Sequence, residues 1–230
     1  MCIIIAKKKD NRLPSKEELI YSFSHNPDGA GFMYTDNNKV IIDKGYMNFD
    51  SFYKRFEFLC KKYNNFANKS LVIHCRIGTA GTNSAKNTHP YPLTNNIREM
   101  HKLHTTANVG VAHNGIIRDY NPTEEDGDVN DTQNFIKTYL WYLKSFDKSF
   151  YKREHHQDNI SYITNSKFAI LDSKDNLYLI GQYVNEQGLS FSNGNYKAHT
   201  YTYKSYSQYN DYNGWWEQNR AWSKYYDDEI

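Results

Sequence analysis

The chain has 230 residues, and 28 lysines and arginines balance 26 aspartates and glutamates to give a formal net charge of +2. This balance provides no strong field for nucleic acid or an acidic membrane surface, and no apolar run approaches the roughly 18 residues that span a bilayer. Three cysteines, an odd and sparse set, argue against a disulfide-stapled secreted protein. We therefore expect a cytoplasmic protein with reduced thiols that binds neither nucleic acid nor membrane.

The first half of the chain predicts short strands and two helices. Residues 2–6 form an apolar run typical of a buried strand. The capping-box pattern Ser15–Glu18 predicts the start of a helix, and "FMYTDNNKVIID" predicts a hairpin about residues 37–38. Large apolar residues recur at helical spacing from 48–63, which indicates a helix with one buried face.

Polar segments separate the predicted elements that follow residue 63. "SLVIHCR" and "VGVAHNGII" predict strands, and the second breaks at Asn114-Gly115. Residues 77–108 between them are polar and irregular, and too long for a plain connector. The remaining predicted elements are a helix over 132–146, a hairpin about 174–175 and a last strand in "GLSFSN".

Helices beside many short, mostly antiparallel strands predict a layered α+β domain over residues 1–195. Residues 196–230 are dense in Tyr, Asn and Trp but follow neither the helical nor the strand period. Their low aliphatic content argues against a core of their own, and their aromatic side chains argue against simple disorder. We expect this tail to pack on the domain as a belt or to bind a partner.

Cys2 follows the initiator methionine directly. A buried strand can begin with a free cysteine, because this residue packs like a small hydrophobe. Alternatively, removal of Met1 would place a thiol and a free α-amine on one residue, which is a self-contained nucleophile and base. Both interpretations are open at this point.

Three polar segments lie where strand ends should bring them together, and each also has a structural interpretation. Arg76 in "HCRIGTAG" could be a surface charge, and Asn114-Gly115 in "AHNGII" is a turn dipeptide. Asp131 in "NDTQNF" could be only a helix cap.

The ordered set of motifs resembles a known family. Cys directly after Met, "DGAG", "HCRIGTAG", a His-Pro pair, "HNGII" and "NDTQ" occur in the order found in class II glutamine amidotransferase domains, which are N-terminal nucleophile hydrolases. The resemblance covers about Cys2 to Asp131, with a weaker similarity at "FSNGNY". It implies a four-layer α-β-β-α sandwich with Cys2 at the end of a central strand.

The resemblance also implies roles for individual residues. Cys2 is similar to the family nucleophile, with its own α-amine as the base. Arg76 matches the arginine that pairs with the α-carboxylate of glutamine, and Asp131 matches the carboxylate that takes the α-ammonium. Asn114 and Gly115 match the oxyanion hole, one through its side-chain amide and the other through its backbone N–H.

Two further residues come from the same resemblance. Thr79 lies where the family lines the glutamine pocket, and His89 matches the histidine of the His-Pro pair. The chain departs from many synthases at Ile77, which replaces a Trp, and at Ala80, which replaces a second His. These departures leave the implied glutamine contacts in place but put gating and coupling to a partner site in doubt.

The charge pattern suits the implied chemistry. Glutamine is a zwitterion, so a selective pocket needs an opposite charge at each end, and the planar guanidinium of Arg76 suits a carboxylate. The expected reaction forms a thioester on Cys2, releases ammonia, and ends when water releases glutamate. We expect no cofactor, and the histidine and cysteine spacing fits no compact metal site.

The sequence also suggests where the ammonia would go. Residues 132–230 contain no glycine-rich phosphate loop, so we expect the acceptor chemistry on a separate synthase or ligase, or a homo-oligomer. Two alternatives stay open. One is an N-terminal Cys amidase of the acylase type, which would need an apolar acyl pocket, and the other is a catalytically silent binding module of the same fold.

Overall fold

A computed structural model describes residues 1–63, 66–78, 81–123 and 127–198. The strands in these ranges are β1 (Ile3–Lys7), β2 (Ala30–Asp36), β3 (Lys39–Tyr46), β4 (Leu71–Cys75), β5 (Tyr91–Pro92), β6 (His104–Ala107), β7 (Val109–Asn114), β8 (Lys167–Asp172), β9 (Leu177–Ile180), β10 (Val184–Glu186) and β11 (Leu189–Phe191). The helices are α1 (Lys16–Ser24), α2 (Phe49–Lys62), α3 (Ile97–His101), α4 (Asp131–Phe135), α5 (Trp141–Phe146) and α6 (Glu154–Thr164), and a π-helical turn (Ile136–Leu140) joins α4 to α5.

The strands form two antiparallel sheets. The first sheet has the order β10-β11-β1-β4-β2-β3-β6, and the second has the order β5-β7-β8-β9. The strand pairs along both sheets are antiparallel. The predicted α+β class with mostly antiparallel strands is therefore confirmed. Within the described ranges, no helix is long and apolar enough to cross a membrane.

Three apolar cores place helices and sheets relative to one another. Helices α1 and α2 pack on one face of the first sheet, and α4, α6 and the π-helical turn pack on one face of the second. Between the sheets, side chains of β1 to β4 meet side chains of β7 and β8. Both faces of each sheet are therefore covered in the central strands.

The continuous apolar run of β1 follows from this position. Side chains alternate between the two faces of a strand. Ile3 and Ile5 accordingly contact the core under α1 and α2, whereas Ile4 and Ala6 contact the core between the sheets. All four are at most 1% exposed, so no position of this strand tolerates a polar residue that lacks a partner.

Local signals explain the elements that the sequence predicts. Ser15 is the N-cap of α1: its hydroxyl accepts a hydrogen bond from the Glu18 N–H at 3.1 Å, and the Glu18 carboxylate accepts the Ser15 N–H at 2.8 Å. Asn37 and Asn38 have φ angles of 47° and 55°, the left-handed conformation that a two-residue hairpin requires. The predicted capping box and the predicted hairpin are both confirmed.

Other predictions need correction. Residues 77–108 are not wholly irregular, because β5, α3 and β6 lie there. These elements are five residues or shorter, and β6 is an edge strand with half of its side chains exposed, so neither period is visible in the sequence. Helix α6 was not predicted: it buries only Ile160 and Thr164, and too few apolar residues mark its inner face.

The described part of the chain forms one compact unit that extends to Ala198. Tyr196, predicted as the start of the tail, is 4% exposed and stacks on Phe191 with 3.5 Å between ring centroids. The rest of the predicted tail, from residue 199 onward, lies outside the described residues.

Candidate active site

Three of the residues singled out from the sequence lie at neighbouring strand ends. Cys2 precedes β1, Arg76 follows β4, and Asn114 is the last residue of β7. Ile4 lies two positions after Cys2, and Ala112 lies two positions before Asn114. Both Ile4 and Ala112 face the core between the sheets. Because the strand period is two, Cys2 and Asn114 continue the same inward-facing rows. The two sheets thus direct both side chains toward one end of the space between them.

The Cys2 thiol contacts the residue after Arg76. The Ile77 N–H donates to Sγ at 3.3 Å, and the Ile77 carbonyl lies 3.4 Å from Sγ. Burial raises the pKa of the Cys2 thiol above its ordinary value, while the Ile77 N–H and the positive charge of Arg76 act in the opposite direction. Ionisation of this thiol therefore needs a nearby base to take its proton.

Two asparagines hold the chain start in place. The Asn193 amide donates to the Cys2 carbonyl at 2.6 Å, and the Asn195 amide donates to the Met1 carbonyl at 3.2 Å. Met1 itself is 74% exposed. Cys2 is therefore fixed by contacts that do not involve the Met1 side chain.

Arg76 is 3% exposed and lies in a polar network with the loop that follows it. Its Nη1 donates to Asn83 Oδ1 at 3.2 Å, and the Asn83 amide donates to Asp28 at 2.9 Å. Asp28 also accepts the Gly78 N–H at 2.7 Å. These contacts orient the guanidinium and contradict the interpretation of Arg76 as a simple surface charge.

Asn114 is tied to the first sheet. Its Nδ2 donates to Ser192 Oγ at 2.8 Å, and the same hydroxyl accepts the Ile4 N–H at 2.8 Å. Asn114 Oδ1 is buried and has no hydrogen-bond partner among the described residues. At the next position, a Cβ on Gly115 would lie 2.1 Å from Ser166 Oγ, so only glycine fits there.

Asp131 lies beside this segment and is 5% exposed. Its carboxylate accepts the Ile117 N–H at 2.7 Å and the Thr132 N–H at 2.8 Å. Burial raises the pKa of the Asp131 carboxyl, and the two backbone N–H groups partly offset this rise. The N-cap of α4 is Asn130, whose side chain accepts the Gln133 N–H, so Asp131 is not the capping residue.

His89 belongs to a buried cluster of histidines. Its ring stacks on His74 with 4.2 Å between centroids, and its Nε2 lies 3.1 Å from Thr132 Oγ1. The same hydroxyl lies 2.7 Å from His113 Nδ1. Burial lowers the pKa of His74 and of His113 to about 3 and lowers the pKa of His89 well below its ordinary value. All three imidazoles are therefore neutral near pH 7.

Tyr91 is buried next to the histidine cluster. Its ring centroid lies 4.6 Å from that of His89, and its hydroxyl donates to the Asn87 carbonyl at 2.7 Å. Burial raises the pKa of this hydroxyl. The candidate residues placed in this part of the molecule are a thiol, a cation and a buried carboxylate, and groups of these kinds can attack an electrophilic carbon and bind the two ends of a small zwitterion.

Not every sequence prediction can be placed, and sequence reasoning missed several supporting residues. Thr79 lies outside the described residues. Asp28, Ser192 and Asn193 lie within the quoted motifs, but the sequence assigns them no role because each holds another group in place: Asp28 accepts from the Asn83 amide, Ser192 accepts from the Asn114 amide, and Asn193 donates to the Cys2 carbonyl. Among the described residues, no group of three or more His, Cys, Asp or Glu side chains could hold a metal ion.

A comparison with models of known protein families finds no match for this chain, and a search of curated proteins also finds none.

Proposed function

We propose that the chain is a class II glutamine amidotransferase with Cys2 as nucleophile, built on a four-layer α-β-β-α sandwich of the N-terminal nucleophile hydrolase type. The observation that carries this proposal is the position of the Cys2 thiol, 3.3 Å from the Ile77 N–H that follows Arg76. The neighbouring strand end contributes Asn114 and Gly115. Helices cover the outer faces of two sheets that share a core, which supports the proposed sandwich.

In the proposed reaction, removal of Met1 gives Cys2 a free α-amine. An α-amine has an ordinary pKa of about 7.7–8 and is partly neutral near pH 7. It takes the proton of the buried thiol, and the thiolate attacks the side-chain amide carbon of glutamine. The amine returns the proton to the leaving nitrogen as ammonia departs, and water then cleaves the thioester to give glutamate.

The surrounding residues would stabilise this sequence of steps. Arg76 pairs with the α-carboxylate of glutamine, and Asp131 attracts the α-ammonium. Asn114 and the Gly115 N–H donate to the oxyanion, and groups of this kind contribute roughly 3–4 kcal/mol each to stabilising a transition state. Thr79 would line the glutamine pocket. His89, which lies in the buried cluster, would support the pocket through its contact with the Thr132 hydroxyl.

The proposed acceptor of the ammonia is a separate synthase or ligase, or a second copy of this chain. The described residues form one compact unit around the two sheets, and most of their helices and strands contribute side chains to its cores. The proposed docking segment is the aromatic tail that the sequence places at residues 196–230, apart from Tyr196, which packs on Phe191. Tyr and Trp are enriched at interface hot spots.

Two measurements on the wild-type protein test the proposal. Intact mass determines whether Met1 is absent, and an assay with glutamine determines whether glutamate and ammonia form in equal amounts. A glutamine-like electrophile, diazo-oxo-norleucine, should label Cys2 and no other residue.

Cysteine variants provide the matched control. Cys2→Ser should abolish glutaminase activity and labelling. Cys60→Ser should leave both intact, because Cys60 lies on α2 against the other face of the first sheet. Labelling at Cys75, or full activity in Cys2→Ser, would falsify the assignment.

A further inference from the structure

A second polar region lies at the other end of the second sheet. A cleft of about 370 Å³ opens between α5, the turn that follows it and the ends of β7 and β8. This volume is within the range of small-molecule sites. The side chains that matter here are four lysines, one tryptophan and one aspartate: Lys144, Lys148, Lys152, Lys174, Trp141 and Asp172. We call this region the lysine cleft.

Asp172 is the one carboxylate among the described residues that line the cleft, and other groups already occupy its oxygens. It accepts the Lys174 and Asn176 backbone N–H groups at 2.9 and 3.0 Å. It also lies 3.5 Å from Lys152 Nζ. Asp172 therefore neutralises Lys152 and has little capacity left for another cation.

The other three lysines have no anionic partner in the described part of the chain. Lys144 is half-buried, and this burial lowers the pKa of its ammonium group. Its Nζ lies 4.4 Å from the Trp141 ring centroid, which is a weak substitute for a counter-ion. Desolvation disfavours the charged form of Lys144, and a nearby negative charge would favour it. The cleft therefore favours a bound anion.

The cleft is remote from the candidate active site. Val109 lines the cleft at the start of β7, and Asn114 ends the same strand. Five steps of an extended strand place these residues about 17 Å apart. A ligand in the cleft would therefore not occupy the space beside Cys2.

We propose that the lysine cleft binds a small polyphosphate-bearing ligand, with its phosphoryl groups held by Lys144, Lys148 and Lys174. Three ammonium groups match the charge of a di- or triphosphate, and lysine is a common phosphate binder. Trp141 forms a wall of the cleft and offers an aromatic surface to a ring attached to that phosphate chain. The proposal does not depend on the function of Cys2.

Isothermal titration calorimetry at low ionic strength tests the proposal with two probes, sodium tripolyphosphate and ATP. The full chain should bind tripolyphosphate saturably at one site. The double variant Lys144→Gln/Lys148→Gln should weaken binding by about tenfold, the scale of two surface charge pairs. The matched control Lys54→Gln/Lys61→Gln removes two exposed lysines from α2, on the other side of the molecule, and should change binding less than twofold.

The two probes distinguish the source of the phosphate groups. If ATP binds more tightly than tripolyphosphate and Trp141→Ala removes the difference, the ligand is a nucleotide. Equal affinity for both probes indicates a site for phosphate groups alone. Non-saturable binding, or an equal loss of affinity in the control variant, would overturn the proposal.

Discussion

The charged side chains near the two ends of β7 differ in whether they have partners. At the Asn114 end, Asp131 accepts two backbone N–H groups and Arg76 is oriented by Asn83, so charged groups are buried with their partners in place. At the Val109 end, three lysines face a cleft without an anionic partner among the described residues. A preorganised set of groups suits chemistry on a small substrate, because orientation costs nothing at the moment of reaction. Lysines that lack an anionic partner in this way suit the binding of an anion.

The largest effect that would distinguish the two ends is expected at Asn114. Asn114→Ala removes one oxyanion donor and should lower kcat for glutamine hydrolysis by about 10²–10³. KM should change little, since this amide binds most strongly in the transition state. Steady-state kinetics measure both parameters.

Asn159→Ala is the control for this prediction, because Asn159 presents its amide on the surface of α6. An unchanged kcat in Asn114→Ala would remove Asn114 from the proposed mechanism and leave it as the link between β7 and Ser192.

The buried histidines near the Asn114 end of β7 should also determine how stability depends on pH. His74 and His113 have a pKa of about 3 when folded, against an ordinary value near 6.5. Below pH 6.5 the unfolded chain therefore binds protons that the folded chain does not. The free energy of unfolding should fall as pH falls, by roughly 1 kcal/mol for each buried histidine between pH 6 and 5.

Urea unfolding at several pH values measures this slope. His74→Gln should reduce the pH dependence by about a third, because His74, His89 and His113 all contribute, and His155→Gln, at an exposed position on α6, is the control. Equal slopes in wild type and His74→Gln would show that the histidine cluster does not control acid stability.

A smaller effect is expected when the charge at Arg76 is kept but its shape is changed. Arg76→Lys retains the cation and loses the planar fork, so the KM for glutamine should rise about tenfold while kcat changes less. Arg98→Lys, at an exposed position on α3, is the control. If KM is the same in both variants, glutamine is not held by this guanidinium.

The smallest effect is expected at the Val109 end of β7, in the lysine cleft. Lys144→Gln should change the free energy of unfolding by at most about 1 kcal/mol, since it removes a half-buried ammonium and one cation–π contact with Trp141. Glutaminase activity should stay within about twofold, because the cleft and the proposed site lie about 17 Å apart. Thermal unfolding and the glutaminase assay check both expectations. A large loss of activity would indicate that the two ends of β7 are coupled.

Much of the fold could be predicted from local signals. The capping box at Ser15 and the hairpin at residues 37–38 depend on contacts between residues close in sequence, and both form as predicted. Helix α6 and strand β6 could not be predicted in this way. Each buries few apolar side chains and takes its place from packing or from pairing with a distant strand, here β6 with β3.

For the candidate site, too, local patterns indicated some residues, and long-range contacts decided the role of others. The sequence alone pointed to Cys2, Arg76, Asn114 and Asp131, because reactive or charged residues stood at predicted strand ends and resembled an ordered family pattern. It assigned no role to Asp28 or Ser192. Their hydrogen bonds join residues 50 and 78 positions apart, and no local pattern encodes such pairs.

By itself, then, the sequence determined the elements with strong local signals, the α+β class and the residue types at the strand ends, since capping, turn conformation and hydrophobic periodicity act over a few residues. The tertiary structure alone decided which groups meet: that the Cys2 thiol lies against Ile77, that His89 is buried with His74 and Thr132, and that four lysines line one cleft. These outcomes depend on how two sheets and their helices pack, and packing joins surfaces that are far apart along the chain.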